Sequence, residues 1–213
     1  VRDTNPLSSS PSDLKVAHLD ANNTQKRIGA SLMVNVNAGD QIELSALSFY
    51  GPHETGGGNI TTSEMVSSII GSLLGPAGLP PAEAGANAQL VQNLFSSSNY
   101  LSTYEAIKNS QTNPSRPRAY INYMLFDQDL KLVPEESGVI QIAMTDGTWK
   151  TNSLGGTKTL TKSGILFVYL SSEDKSRHIY WINLMLRHYK KSLVDEKHYY
   201  PFGSTVDLTL NAS

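Results

Sequence analysis

The stretch "RIGASLMVNVNAGDQIELSALSFY", residues 27–50, decides the fold class. In its first half Ile28, Ala30, Leu32, Val34 and Val36 share one face of an extended chain, and Gly29, Ser31, Met33 and Asn35 share the other. A period of two is the mark of a half-buried strand, because successive side chains point to opposite faces. "NAGD", residues 37–40, supplies turn chemistry, and Ile42, Leu44 and Ala46 then resume the alternation. The two runs predict a β-hairpin.

Outward from this stretch the pattern changes twice. "GPHETGGGN", residues 51–59, reads as a flexible loop; no Lys-Ser or Lys-Thr follows its glycines, so it is no phosphate loop. Met65, Val66, Ile69, Ile70, Leu73 and Leu74 then fall at helical spacing, with Thr61 or Thr62 as the cap. "AEAGANAQLVQNLF" and "SSNYLSTYEAIKN" continue in the same period, which predicts a helical insertion over about residues 61–110. Its apolar stripes lack a basic face, so they are expected to pack on the β part or on one another. Strands return with "AYINYMLFD", where Tyr120, Asn122, Met124 and Phe126 alternate with Ala119, Ile121, Tyr123 and Leu125. Large residues on both faces predict a central strand covered from both sides, with the helices as one cover.

After "DQD", "LKLV" predicts a second hairpin; "GVIQIAM", "GILFVYL" and "HIYWINLMLRHYK" predict further strands. Six to nine strands around one helical block predict a mainly β fold, a two-sheet antiparallel β-sandwich of the jelly-roll kind. A parallel α/β sheet would need helices alternating with strands.

Composition narrows the function classes. The 213 residues include 17 Lys plus Arg and 19 Asp plus Glu, for a net charge of -2, without the basic stripe of a nucleic-acid binder. Cysteine is absent, which removes disulfides, thiolate metal sites and thiol nucleophiles. Charged residues form only 17% of the chain against about a quarter in typical domains, and Ser, Thr, Asn and Gly fill the gap, as in many extracellular β-rich domains. The chain starts at Val1 without a signal pattern or a membrane-length apolar run, and reads as a mature form or an excised piece.

Five segments occur in an order that resembles a known family: residues 27–50, "RPRAYINYMLFDQDLKLV", "SGILFVYLSSED", "IYWINLMLRHY" and "LVDEKHYYPFGST". Together they resemble the domain just upstream of the repeat-associated core in bacterial RHS/YD-repeat proteins. The "HYYPFG" phrase, His198 to Gly203, is the most specific part. The resemblance implies a module of a large secreted or cell-surface polypeptide, with the rest of that polypeptide as partner. It divides the chain into a sandwich domain over residues 1–197 and a junction over 198–213 that leads to a downstream core. By fold analogy the domain is similar to jelly-roll carbohydrate-binding modules. It implies either a glycan-binding module or a structural adaptor that caps the YD-repeat shell.

Chemistry-bearing residues are few. His178 and His188 are ten apart, so a straight strand places them on one face about 33 Å from each other, too far to share a metal; both are expected to face solvent. The pairs Glu135/Glu136, Glu173/Asp174 and Asp195/Glu196 are each adjacent and sit in predicted turns, unlike the two spaced carboxylates of a glycosidase. No Gly-x-Ser-x-Gly elbow occurs. The expectation is a non-catalytic domain without a cofactor. For sugar stacking, Trp149 after the "TDGT" turn is the first candidate, and Tyr120 with Asn122 the second; for aromatics within strands core packing is the more common role. The family pattern Asp-Asn-Leu stands here as Ile182-Asn183-Leu184, and Ile182 cannot ligate a cation. A structural calcium would therefore draw on Asp20, Asp40, Asn183 or backbone carbonyls.

Overall fold

The computed structural model describes residues 2–4, 15–52, 57–74, 95, 98–145, 147–191, 196–199 and 205–208. In chain order the strands are β1 (Arg2–Thr4), β2 (Lys15–Leu19), β3 (Ile28–Val36), β4 (Gln41–Tyr50), β5 (Ala119–Phe126), β6 (Gly138–Gln141), β7 (Lys150–Ser153), β8 (Lys158–Thr159), β9 (Gly164–Ser172), β10 (Ile179–Tyr189), β11 (Glu196–Tyr199) and β12 (Thr205–Leu208). Helices α1 (Thr62–Leu74) and α2 (Ser98–Gln111) lie between β4 and β5.

Every strand pair is antiparallel. The first sheet runs β1-β2-β10-β4-β7 with β8 against β4, and the second runs β3-β9-β5-β6. Two facing four-stranded layers, β2-β10-β4-β7 and β3-β9-β5-β6, are the strand orders of a jelly roll, so the expected sandwich is what forms. Ile42, Leu44, Ala46, Ile179 and Trp181 of the first sheet meet Ile121, Leu125, Leu166, Val168 and Leu170 of the second in the core between them.

The helices make a third layer on the outer face of the second sheet. Met65, Val66 and Ile69 of α1, with Phe95, Tyr100 and Tyr104, pack on Tyr120, Met124, Phe126, Phe167 and Tyr169. All eight residues of β5 are buried as a result, as the apolar pattern on both of its faces predicts. Glu64 caps α1 by accepting from the Thr61 backbone N–H at 2.8 Å, while Thr61 Oγ1 accepts from the Glu64 N–H at 3.2 Å. Residues 75–94, which hold most of the expected middle helix, lie outside the described residues.

Three expectations need correction. The stretch 27–50 is no hairpin: β3 pairs with β9, and β4 pairs with β10, β7 and β8. Its turn carries the chain from one sheet to the other, and Gly39 takes φ 94° there. "LKLV" adds only a single bridge, Phe126 to Leu132, and the partner of β5 is β6. Ahead of β3, strands β1 and β2 extend the first sheet. Near the other end β11 and β12 pair as a separate two-stranded sheet, so the boundary drawn at 197/198 falls inside β11. Residues 200–204, with most of the "HYYPFG" phrase, lie outside the described residues.

A bulge in β10 sets the site. Register shifts between Ile182 and Met185, and Asn183 adopts φ 53°. Asparagine is among the few residues that tolerate this left-handed conformation. The extra residue reverses the alternation, as a bulge does. Before it Ile179 and Trp181 point into the core; after it Leu184 and Leu186 do.

Candidate aromatic binding face

Tyr180 lies between the buried Ile179 and Trp181, so alternation turns it to the outer face of the first sheet. It stands opposite His18 on β2 and Phe49 on β4. Ser48 pairs with Lys150, which brings Trp149, one residue earlier, beside Phe49. The ring of His18 stacks on Tyr180 with centroids 4.7 Å apart and planes 13° apart. Phe49 follows at 6.1 Å from Tyr180, and Trp149 at 5.6 Å from Phe49, tilted by 53° and 40°. His178 closes the other end, 5.0 Å from His18.

The result is a row of five rings, His178, His18, Tyr180, Phe49 and Trp149, across the breadth of the sheet. Four are half-buried and Phe49 is buried beneath its neighbours. Leu47 and Ile182 pair below the row and are also half-buried, and Met185 is 42% exposed. Among the described residues no helix packs on this face. Such a continuous aromatic and apolar strip is a surface with contact energy to offer a ligand.

Of the sequence candidates, only Trp149 belongs to the row. Tyr120 and Asn122 are 1% and 0% exposed and lie beneath the helices, so they offer solvent nothing to stack on or bond. The alternation that places them opposite Ile121 was legible; that the helices cover their face sets their role. Asn122 Oδ1 accepts from the Tyr104 hydroxyl at 3.0 Å, and its Nδ2 donates to Ser171 Oγ at 2.8 Å and the Tyr169 carbonyl at 3.2 Å. Sequence reasoning missed His18, Phe49 and Tyr180 as a group, because they lie on three strands whose pairing no local pattern specifies.

An open cleft of about 470 Å³ lies where the helices meet the sheet, lined among others by Asn59, Thr62, Glu105, Lys108, Asn109 and Arg118. Lys108 of its lining is ion-paired: its Nζ donates to both Glu173 oxygens, at 2.9 and 3.0 Å, and to Thr62 Oγ1 at 3.2 Å. Burial pushes the Glu173 carboxyl above its ordinary range, against the pull of the Lys108 charge. A raised carboxyl in a cleft is a general-acid signature. Here all three ammonium protons and both carboxylate oxygens are engaged with each other or with Thr62, which is the arrangement of a structural pin.

The three calcium candidates do not converge. Asp20 follows β2 near the Ile179 end of β10, Asp40 lies beyond the Tyr189 end, and Asn183 is at the bulge between. Among the described residues no group of three metal-ligating side chains forms. Asp40 is used internally. It accepts from the Lys191 and Asn37 backbone N–H groups, each at 2.9 Å, and meets His188 Nε2 at 2.8 Å. His188 is therefore inward and half-buried, and the bulge puts it on the opposite face from His178, contrary to the straight-strand expectation.

The backbone bonds from Lys191 and Asn37, against desolvation and with help from His188, lower the Asp40 pKa to about 2. A depressed carboxylate contributes stability above its unfolded pKa, and loses it as pH falls through the folded value. Asp40→Asn is thus expected to lower the melting temperature at pH 7, with the gap to the wild type closing between pH 4 and about 2. A constant gap in melts across that range would assign the loss to shape and not to charge.

Among the described residues no helix is long and apolar enough to cross a membrane. Comparison with protein-family models, with characterised proteins and with solved structures returns no match to this chain.

Proposed function

We propose that this chain is a non-catalytic binding module whose outer jelly-roll face takes carbohydrate. The row His178–His18–Tyr180–Phe49–Trp149 carries the reading. The apolar C–H faces of pyranose rings pack on aromatic rings, and a row across a sheet suits several consecutive sugars. The rings are tilted against one another by 40° and 53° at the Trp149 end, so a twisted or branched chain fits better than a flat crystalline one. In the cleft by the helices, Lys108 and Glu173 are engaged with each other and do not form a free acid–base couple. The sequence resemblance supports a place in a larger secreted or surface RHS/YD-repeat polypeptide.

The test is a glycan array followed by titration with the best ligand. Trp149→Ala is expected to weaken binding about tenfold or more, as losing one aromatic anchor does at other interfaces. Tyr180→Ala is expected to act in the same direction. An array without signal, or a Trp149→Ala variant with wild-type affinity, overturns the proposal. In that event the second reading takes its place: a sandwich that joins or caps a YD-repeat shell without a small ligand. The separate β11–β12 sheet at the end of the chain favours that second reading.

A further inference from the structure

We infer that the cleft where the helices meet the second sheet binds a sugar acid, a polyhydroxylated ligand with one carboxylate, and that Arg118 is its anchor. The cleft measures about 470 Å³, within the range of small-ligand sites. Its walls come from three parts of the chain: Asn59 ahead of α1, Leu101, Glu105, Lys108 and Asn109 of α2, and Arg118 just before β5. The four α2 residues are spaced three and four apart, so they share one helix face. Backbone bonds fix the other two walls. The Arg118 carbonyl accepts from the Glu173 N–H at 2.7 Å, and the Ile60 N–H donates to the Glu173 carbonyl at 3.0 Å, so the segments of Asn59 and Arg118 flank Glu173.

The two cations of the cleft are not equivalent. Lys108 spends its ammonium protons on Glu173 and Thr62. Arg118 is half-buried, and among the described residues its guanidinium makes no hydrogen bond or ion pair; its charge reaches Glu173 only through space. A partly desolvated charge without a partner has lost hydration and gained nothing for it. The planar guanidinium fork matches a carboxylate with two parallel N–H donors.

The remaining lining selects among anions. Asn59, Glu105 and Asn109 are exposed, and among the described residues their side chains also lack protein partners. Glu105 repels a multiply charged phosphate or sulfate, and it accepts from hydroxyl groups. Each asparagine amide both donates and accepts, as a hydroxyl does. One carboxylate on Arg118, with hydroxyls on Glu105, Asn59 and Asn109, uses every group. Half-buried Leu101 offers the apolar contact that the C–H side of a sugar ring needs.

Nuclear magnetic resonance of the full chain titrated with glucuronate tests this. Glucuronate is expected to give saturable shifts at the Arg118 Nε–H and at the Asn59 and Asn109 side-chain amides. Acetate should bind more weakly and move Arg118 alone, and glucose should be silent. Oligogalacturonate binding as tightly as glucuronate assigns the site to a uronate within a polysaccharide; glucuronate binding alone assigns it to a free sugar acid. Arg118→Gln should weaken glucuronate binding about tenfold or more, and Arg118→Lys, which keeps the charge and loses the fork, should recover only part. Lys131→Gln removes a cation that is 76% exposed on another loop, and should leave binding unchanged. Wild-type affinity in Arg118→Gln overturns the proposal. So does a wild-type protein without saturable glucuronate shifts, or one that binds acetate as tightly, and neither measurement needs a variant to fold. The ring row lies on the first sheet, so a glycan array without signal for neutral sugars decides that reading and leaves this one to its own result.

Discussion

Lys108→Met is expected to destabilise the fold by about 3–5 kcal/mol at pH 8, the loss typical of removing one partner from a buried ion pair. The side chains of Lys108 and Glu173 are 4% and 0% exposed. Lys108 belongs to α2, Glu173 follows β9, and Thr62 opens α1, so one ammonium group fastens both helices to the sheet. Without it, Glu173 is a carboxylate held in a desolvated site with only the more distant Arg118 charge to compensate it. The pH dependence has a definite sign. Burial raises the Glu173 pKa, and loss of the Lys108 charge, which pulls it down, raises it further. A carboxyl with a raised folded pKa costs stability above that pKa, and the cost falls as the group takes up a proton. The deficit of Lys108→Met is therefore expected to shrink from pH 8 to pH 5 in urea titrations. The double variant Lys108→Met/Glu173→Gln should recover most of the loss, since neutral replacement of both partners removes the stranded charge. A pH-independent deficit, or none, would show that the pair does not fasten the helices.

The second large effect is expected at Asn122. Asn122→Ala strips partners from the Tyr104 hydroxyl and Ser171 Oγ, and one from the Tyr169 carbonyl, all in the layer beneath the helices. A buried polar group left without a partner costs about 1–3 kcal/mol, so the sum is expected near 3–4 kcal/mol. Tyr104→Phe removes one of these partners and should cost less. The two variants share the Tyr104–Asn122 bond, so the double variant should lose less than the sum of the singles. Folded Asn122→Ala protein should bind glycan as the wild type does, because Asn122 lies on the second sheet and the ring row on the first. Urea unfolding and titration of the same preparation separate the two roles. Loss of binding with unchanged stability would return Asn122 to the ligand site.

Much of this was legible in the chain, for a physical reason that also sets its limit. Side-chain alternation depends on neighbours two residues apart, so burial on both faces of "AYINYMLF" could be deduced without any partner. The helical period in residues 62–74 is equally local, and the capping pair Thr61–Glu64 starts the helix there. The mainly β class, the helical block and the sandwich follow from those patterns. Short polar strands such as "KTNS" (β7) carry no such period and become strands only because β4 offers them an edge.

The tertiary structure decided which faces meet. The alternating runs of residues 27–50 state that each strand buries one side, and are silent on its partner; in a jelly roll those two strands belong to opposite sheets. One left-handed residue, Asn183, reverses the phase of β10, and with it the fates of two histidines that the sequence placed alike. His188 turns inward to Asp40, and His178 stays outward beside His18, which is remote in the chain. The row of rings exists because β2, β10, β4 and β7 are neighbours, and strand pairing is set by contacts distant in sequence that no local period encodes.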